Sequence, residues 1–320
     1  MTTGVVVFGG AGFVGSHLLK RLAKTYSGPI FSVDIRKSKS ELPGVTYIIG
    51  DVRDLSQLSL DAPLSLIYNF AAVHTTPGHP THEYYETNIV GAMEVVAFAK
   101  RHDVSNIVFT SSISVYGPSK ETKSEDSKPA PESAYGWSKF IAEKVHRTWL
   151  EEDAGRRLVV ARPAVVFGPG EGGNFTRLAK LLKKGVFVYP GRTDTIKSCI
   201  YVDDLVDAML FAQEQPENYV LFNGCYPDRY TISDIIETFR AKHFSGARTF
   251  ILPRSLLMTV AAFLRPMSAS GLGIHPDRIL KLVQSTDIMP CWLMEKGFIG
   301  RGLLPRSLER WSQQTNGRFE

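Results

Sequence analysis

The sequence predicts an α/β protein with a doubly wound parallel sheet and a smaller, mixed C-terminal part. Short β-like runs alternate with helical patterns through the first half of the chain, and a glycine-rich turn joins the first strand to the first helix. The alternation stops at a second glycine-rich segment, Gly168–Gly173. Regular strand–helix alternation indicates parallel strands whose sheet is covered by helices on both faces.

The elements follow one another as short apolar strands and longer periodic helices. The predicted strands are Val5–Phe8, Ile30–Val33, Val45–Ile49, Leu66–Phe70, Ile107–Thr110, Leu158–Ala161 and Tyr219–Phe222. The predicted helices run through His17–Ala23, Tyr84–Lys100, Tyr135–Leu150 and Phe175–Lys184. We therefore expect residues 1–170 to form one domain, with later returns near 199–224, and residues 171–320 to form most of a second.

The composition excludes several classes of protein. The 320 residues are 43% hydrophobic and carry a net charge of +5, with Lys and Arg scattered along the chain. This balance suits anionic small molecules, whereas nucleic acid usually requires a concentrated basic face, so we expect no nucleic-acid partner. The apolar segment Leu252–Leu264 is too short to span a bilayer; a buried helix is the favoured interpretation and a membrane-surface contact the alternative.

The three cysteines, at positions 199, 225 and 291, are odd in number and show no metal-ligand spacing. A disulfide framework is therefore not expected, and a reducing compartment fits. The start of the sequence lacks the basic residues of a signal peptide. We accordingly expect a cytoplasmic protein without a membrane span.

The first strand leads directly into a turn with glycines at positions 9, 12 and 15, with Phe13 and Val14 between them. Glycine permits the dihedral angles of the turn and lets the backbone approach a pyrophosphate, whose charge faces the N-terminus of the following helix. Because the pattern lies between a strand and a helix, it predicts a Rossmann-type dinucleotide site.

Acidic residues follow the second and third strands. Asp34 is placed to accept hydrogen bonds from a ribose and to repel a 2′-phosphate, which favours NAD over NADP, although Arg36 lies close enough to weaken that preference. Asp51, followed by Val52, ends the third strand and is a candidate for contact with the adenine. A helix-capping role for Asp51 is equally compatible with its position.

Tyr135 and Lys139 are four residues apart on a predicted helix, so their side chains share one face. A nearby ammonium favours the phenolate and should lower the pKa of the tyrosine. Tyr135 could then take a proton from a substrate hydroxyl. Ser112 and Ser114 follow the fifth strand, at the carboxyl edge where ligands bind in such sheets, and a hydroxyl there can contact the reacting oxygen.

Together these motifs resemble the extended short-chain dehydrogenase/reductases, and specifically their nucleotide-sugar epimerase/dehydratase group. The resemblance covers nearly the whole chain. The motifs that carry it are Gly9–Gly15, Gly50–Asp54, Asn69–Ala72, Thr110–Gly117, Tyr135–Lys139, Arg162–Pro163 and Tyr201–Leu205.

The resemblance implies a role for each matching residue. Ser112 is the catalytic serine, Tyr135 the base, and Lys139 its electrostatic partner and a ribose contact. Ala71 and Ala72 line NAD. Pro163 and Val166 border the nicotinamide. A homodimer is also expected.

The resemblance places the substrate contacts in the second half of the chain. Asn174 matches an asparagine that contacts the substrate diphosphate, and Arg278 resembles an arginine that holds the second phosphate. Lys197 stands where many members have an arginine, and the Asp and aromatic residue that usually follow are absent. The loop that holds His74, His79 and His82 lacks a ligand frame for a metal, so we interpret it as a lid over the sugar, with His74 towards the substrate.

The residues after Ser112 separate the reactions of the group. Dehydratases carry an Asp-Glu pair there, and decarboxylases a Glu, whereas this chain has Ile113 and Ser114. Redox chemistry at C4 needs only Ser, Tyr, Lys and NAD. We therefore expect C4 epimerisation of a UDP-sugar through a 4-keto intermediate. Alternatives are a net-redox sugar-nucleotide reductase or hydroxysteroid-type dehydrogenase, and a non-enzymatic NAD sensor.

Overall fold

A computed structural model describes residues 2–75, 78–252 and 284–320, and its core is a seven-stranded parallel sheet. The strands stand in the order β3-β2-β1-β4-β5-β6-β10. The strand order changes direction between β1 and β4, because β2 and β3 lie on one side of β1 and the later strands lie on the other. Ligands of open α/β sheets bind in the crevice at such a switch point. The strands are β1 (Gly4–Phe8), β2 (Ile30–Asp34), β3 (Val45–Ile49), β4 (Leu64–Asn69), β5 (Asn106–Thr110), β6 (Arg157–Pro163) and β10 (Tyr219–Gly224).

Helices cover both faces of this sheet, and β1 shows how they are divided. Val5 and Val7 belong to the apolar cluster that α1 helps to form, whereas Val6 and Phe8 belong to the cluster that contains α3 residues. The fold thus confirms the predicted α/β class. The helices are α1 (Phe13–Thr25), α2 (Thr81–Tyr85), α3 (Gly91–Arg101), α4 (Ala134–Glu151), α5 (Asn174–Lys183), α6 (Val202–Gln213), α7 (Ile232–Lys242), α8 (Cys291–Glu295) and α9 (Leu304–Gln314).

Two small parallel sheets lie outside the main one. Strand β7 (Val165–Phe167) pairs with β9 (Cys199–Tyr201), and β8 (Val186–Pro190) pairs with β11 (Arg248–Leu252). The sequence did not predict these four strands, because runs of three to five residues stabilised by one distant partner carry no clear local pattern. A division into two domains near residue 170 remains a proposal. Because β10 joins the main sheet beside β6, the first domain would include this later part of the chain.

The helix predicted over Tyr84–Lys100 is divided in the structure. A π-helical turn, Glu86–Val90, separates α2 from α3. Within it, Asn88 accepts a hydrogen bond from the Val73 backbone N–H and donates to the Val73 carbonyl and to Ser138. The wider turn therefore accompanies side-chain contacts that a regular amphipathic pattern does not reveal.

In the described ranges, no helix is both long and apolar enough to cross a bilayer. Leu252, the first residue of the apolar segment Leu252–Leu264, ends β11. The predicted buried helix from residue 253 onward lies outside the described residues.

Candidate active site

The glycine-rich turn has the geometry that a pyrophosphate site requires. Gly9 has a φ of +82°, and a Cβ at this position would lie 2.6 Å from the Ala71 nitrogen. Gly15 would likewise bring a Cβ against the Gly9 carbonyl. The first turn of α1, which contains Phe13 and Val14, has no side-chain cap. Its amides are therefore suited to an anionic group, so the turn fits the pyrophosphate of NAD.

Asp34 lies at the edge of a cavity of about 300 Å³ beside this turn. Its carboxylate accepts hydrogen bonds from the backbone N–H groups of Ala11, at 3.1 Å, and Arg36, at 3.0 Å. The Arg36 side chain is 71% exposed, with its Nε 3.8 Å from the carboxylate. The cavity has the size of a small-molecule site, and contact of Asp34 with a ribose of NAD there is our proposal.

Asp51 and Val52 lie one strand further along the sheet. Asp51 accepts two side-chain hydrogen bonds from Arg53 Nε and a third from its Nη2, which hold the pKa of the carboxyl below its usual range. It also accepts the Arg53 backbone N–H, which closes a turn. No helix starts there, so the capping alternative was wrong. Val52 is buried and touches the position of Gly91.

Ala71 and Ala72 follow β4, and Ala71 packs directly against Gly9 of the glycine turn. The backbone N–H of Phe70 bonds to the Phe8 carbonyl, which fixes the two segments side by side. Asn88 holds the next residue, Val73, through both of its backbone groups. The chain beside the cofactor crevice is thus held in place from both ends.

Helix α4 brings Tyr135 against the segment after β5. Ser133 caps the helix by accepting the Gly136 N–H at 3.0 Å. A Cβ on Gly136 would lie 2.5 Å from the Ser114 carbonyl, so glycine allows the close approach of these two segments. The hydroxyl of Ser112 accepts the Ser114 N–H and also hydrogen-bonds to Tyr135. The structure therefore brings Ser112, Ser114 and Tyr135 together.

The protonation of Tyr135 differs from the prediction. Desolvation raises the pKa of this phenol to about 12, and the hydrogen bond with Ser112 acts weakly against that effect. The sequence predicts that Lys139 lowers this pKa, but desolvation of the phenol is the largest influence on it in the structure. Lys139 is itself buried, and desolvation lowers its pKa to about 7, partly opposed by Glu143. Burial thus disfavours the charged form of both groups.

Lys139 is fixed at the carboxyl end of β5. Its Nζ donates a 2.8 Å hydrogen bond to the Thr110 carbonyl and lies 4.9 Å from the centroid of the Phe109 ring. Its position one helical turn after Tyr135 places both groups on the crevice side of α4.

Two histidines of the predicted lid have different surroundings. The pKa of His74 is lowered, first by desolvation and then by the charge of Lys139. His79 instead pairs with Glu83 at 2.7 Å. Among residues 2–75, 78–252 and 284–320, no group of His, Cys, Asp or Glu side chains is arranged to hold a metal ion.

The remaining predicted residues come from the chain after α4. Pro163 ends β6, and Val166 lies in β7, both half-buried. Asn174 is the exposed first residue of α5. Lys197 donates to the Gln284 carbonyl at 2.6 Å, and desolvation lowers its pKa to about 8, so phosphate binding would compete with an existing contact. Arg278 lies outside the described residues.

Sequence reasoning missed a buried polar network behind the site. Arg162 makes a two-pronged ion pair with Glu143, at 2.8 and 2.7 Å, and donates to the Tyr116 hydroxyl. That hydroxyl donates to Asn223 in β10. A signal was present, because Glu143 follows Lys139 by one helical turn, but its arginine partner lies on a distant strand.

Comparisons with known proteins agree with this geometry. The NAD dependent epimerase/dehydratase family matches residues 5–223. An N-acetyl-α-D-glucosaminyl-diphospho-undecaprenol 4-epimerase of Escherichia coli O157:H7 is 36% identical, over 98% of this chain and 95% of its own. A UDP-glucose 4-epimerase of Vibrio cholerae is 29% identical over 68% of each.

A solved structure shows the same fold. The UDP-glucose 4-epimerase of Thermotoga maritima superposes with a TM-score of 0.77 at 20% identity, over 99% of this chain and all of that one. The family match covers more than half of the sequence, and the E. coli relative covers almost all of it. The protein therefore belongs to the NAD-dependent epimerase/dehydratase family.

Proposed function

We propose that the protein is a 4-epimerase that acts on a hexose carried by a diphosphate. The observation that supports this proposal is that Ser112 and Tyr135 lie together after β5, where Lys139 is held by the Thr110 carbonyl, in a chain whose glycine turn fits NAD. Ile113 and Ser114, which follow the catalytic serine, cannot act as a general acid, and this disfavours dehydration. Names of relatives in the same family agree with epimerisation at C4.

The proposed chemistry uses each group for one task. NAD, held by the glycine turn, Asp34 and Ala71–Ala72, supplies a hydride acceptor and later a hydride donor at C4. Tyr135 Oη takes the proton of the C4 hydroxyl, while Ser112 Oγ hydrogen-bonds to the same oxygen and orients it. After the 4-keto sugar has turned over in the site, Tyr135 returns the proton. No net redox partner is consumed.

Lys139 has an electrostatic role in this scheme. A phenol with a pKa of about 12 is a poor base at neutral pH, so the active state must stabilise the phenolate. Lys139 can do so only while it is protonated, and Glu143 favours that form. We therefore assign to Lys139 both contact with the cofactor ribose and stabilisation of the Tyr135 phenolate.

The diphosphate provides the anchor that lets the sugar turn. Asn174 and Lys197 are the described candidates for this contact, with Arg278 as a third from the sequence. The carrier is UDP in the name of the V. cholerae relative and undecaprenyl diphosphate in that of the E. coli relative. Both present the same charged group, and we retain the UDP-sugar as one of two substrates to test.

We also propose a homodimer. Four large apolar side chains on neighbouring helical elements are exposed: Val90, Met93, Trp137 and Ile141. Helices α3 and α4, which carry three of them, pack against each other, so the side chains can form one self-complementary face. Light scattering should show a dimer that Met93→Glu converts to a monomer, whereas a monomeric parent protein would contradict this assignment.

A cytoplasmic location is part of the proposal. Cys199, Cys225 and Cys291 are all free thiols, which suits a reducing compartment.

The function is tested by following sugar protons by NMR. Enzyme and catalytic NAD are incubated separately with a panel of UDP-hexoses and with N-acetylhexosamine diphosphates carried on a short prenyl chain. We expect interconversion of C4 epimers without accumulation of NADH in at least one arm, and no interconversion with Tyr135→Phe. Net NADH, or release of a 4-keto-6-deoxy sugar, would contradict the proposal and favour the reductase or dehydratase alternative.

A further inference from the structure

The small sheet of β8 and β11 leaves an apolar face in contact with solvent. Val186 and Val188 in β8 are each 45% exposed, and Phe250 in β11 is 55% exposed. The register pairs Phe250 with Val188 and Arg248 with Val186, so these four side chains lie on one face. On the opposite face Tyr189 is buried, whereas Ile251 is 60% exposed. We call the four residues the β8–β11 face.

The described sequence on either side of these strands is basic. Residues 172–193, which contain β8, carry five Lys or Arg and no Asp or Glu. Residues 238–252, which contain β11, carry three and no acid. Three of these eight basic residues pair with acids outside the two ranges: Arg192 with Asp194, Arg240 with Glu237 and Lys242 with Glu309. Among the described residues, Lys180, Lys183 and Lys184 are exposed next to β8.

The combination of apolar and basic side chains fits an anionic lipid surface. Exposed aromatic and aliphatic groups enter the boundary between headgroups and acyl chains, while Lys and Arg are attracted to anionic lipids. A second copy of the chain is a poorer occupant, because a symmetric contact would place like charges against each other.

The position of the face also fits a lipid-borne substrate. Helix α5 begins at Asn174, the proposed diphosphate contact, and its last residue lies three positions before Val186. Its ten residues span about 15 Å, at 1.5 Å per residue. The relative that covers 98% of this chain is named for a substrate whose diphosphate is attached to undecaprenol.

We propose that the β8–β11 face docks the protein on an anionic bilayer, where a sugar diphosphate carried by a polyprenyl lipid enters the active site. This inference rests on the proposed function for the substrate, but not for the docking itself. The sequence of Leu252–Leu264 is compatible with membrane-surface contact. The surface tested below consists of described residues only.

Docking is measured by sedimentation with vesicles, using holoenzyme and no sugar substrate. One set of vesicles is pure phosphatidylcholine, and the other contains phosphatidylglycerol in addition. The parent protein should bind only the second set. Lys183→Glu combined with Lys184→Glu should weaken that binding by about 25-fold or more, since each basic residue near an anionic surface contributes about fivefold. Val188→Ser combined with Phe250→Ser should weaken it by about 10²-fold, since burial of each large apolar side chain contributes about tenfold or more.

The matched control is Lys20→Glu combined with Lys24→Glu, which makes the same charge change at exposed positions of α1. It should retain most of the binding. Equal loss in this control, equal binding to both kinds of vesicle, or full binding by the two face variants would overturn the proposal. A change of oligomeric state in the face variants would also do so, because it would identify a second copy as the occupant.

Turnover measurements distinguish a failure of the docking proposal from a failure of the proposed function. Every face variant should turn over a water-soluble sugar diphosphate within twofold of the parent, which also shows that it is folded. Tyr135→Phe should bind vesicles as the parent does. A parent that epimerises sugars but ignores anionic vesicles overturns the docking surface alone. A parent that docks through this face and epimerises no sugar diphosphate overturns the proposed function alone.

Discussion

Asp34 should make the protein prefer NAD to NADP by roughly 10²–10³-fold. Its carboxylate is 9% exposed and is held in place by the Ala11 and Arg36 amides, so it cannot easily turn away from a 2′-phosphate. Two like charges about 4 Å apart repel each other by about 4 kcal/mol at an effective dielectric constant of 20, which corresponds to about 10³-fold. The nearby Arg36 guanidinium reduces this value.

The perturbation is Asp34→Asn, which removes the charge and retains a carbonyl that can accept the Ala11 N–H. The ratio of the two dissociation constants, measured by titration calorimetry, should fall to within about tenfold. The remaining Arg36 should then favour the phosphate. NADP binding by the parent protein that equals or exceeds NAD binding would refute the reasoning.

Asp51→Asn is the matched control for this measurement. Asp51 is also a carboxylate at a strand end, but it is paired with Arg53. Any contact it makes with the adenine is common to both cofactors, so the variant should leave their ratio unchanged. A shift as large as that of Asp34→Asn would mean that net charge, and not position, sets the preference.

Three other variants test the catalytic helix. Tyr135→Phe should retain the fold and NAD affinity while turnover falls by about 10²–10⁴-fold, and near-normal turnover would exclude Tyr135 as the base. Lys139→Met should lose turnover and bind NAD more weakly. The same variant should gain stability at pH 7, because the pKa of the buried lysine is about 7 in the folded protein and about 10.4 in the unfolded chain. This gain in the free energy of unfolding should disappear as the pH rises towards 10. A pH-independent difference in urea unfolding would contradict this prediction. Glu143→Gln leaves Arg162 buried without its ion pair and should cost about 3–5 kcal/mol in urea unfolding, whereas an unchanged midpoint would show that the pair is dispensable.

The sequence was informative where function depends on local spacing. The glycines around Gly12 and the helical interval from Tyr135 to Lys139 each lie within a few residues, so their chemistry can be read from the pattern. It was less informative where function depends on distant partners. The contact of Lys197 with Gln284 and the pair of Glu143 with Arg162 form only when the chain folds. The pKa of Tyr135 was misjudged for the same reason, since burial depends on the packing around the crevice.

The fold, too, was predictable from the sequence where it depends on local pattern and was not where it depends on distant contacts. The strands of the main sheet were predicted within two residues at each end, because each is a short apolar run that can be recognised from the sequence alone. The pairs β7–β9 and β8–β11 were not predicted, and neither was the π-helical turn at Asn88. These features depend on single long-range pairings, which local hydrophobic patterns do not encode.

The central claim is that hydride leaves C4 and returns to the same carbon on its other face. A sugar diphosphate deuterated at C4 tests it directly, with enzyme and catalytic NAD in ordinary water. We predict that NMR of the product epimer shows deuterium retained at C4, because hydride carried on the cofactor does not exchange with solvent, while the proton handled by Tyr135 does. Loss of deuterium to solvent, or a product changed at C3 or C5 with C4 untouched, would contradict the account.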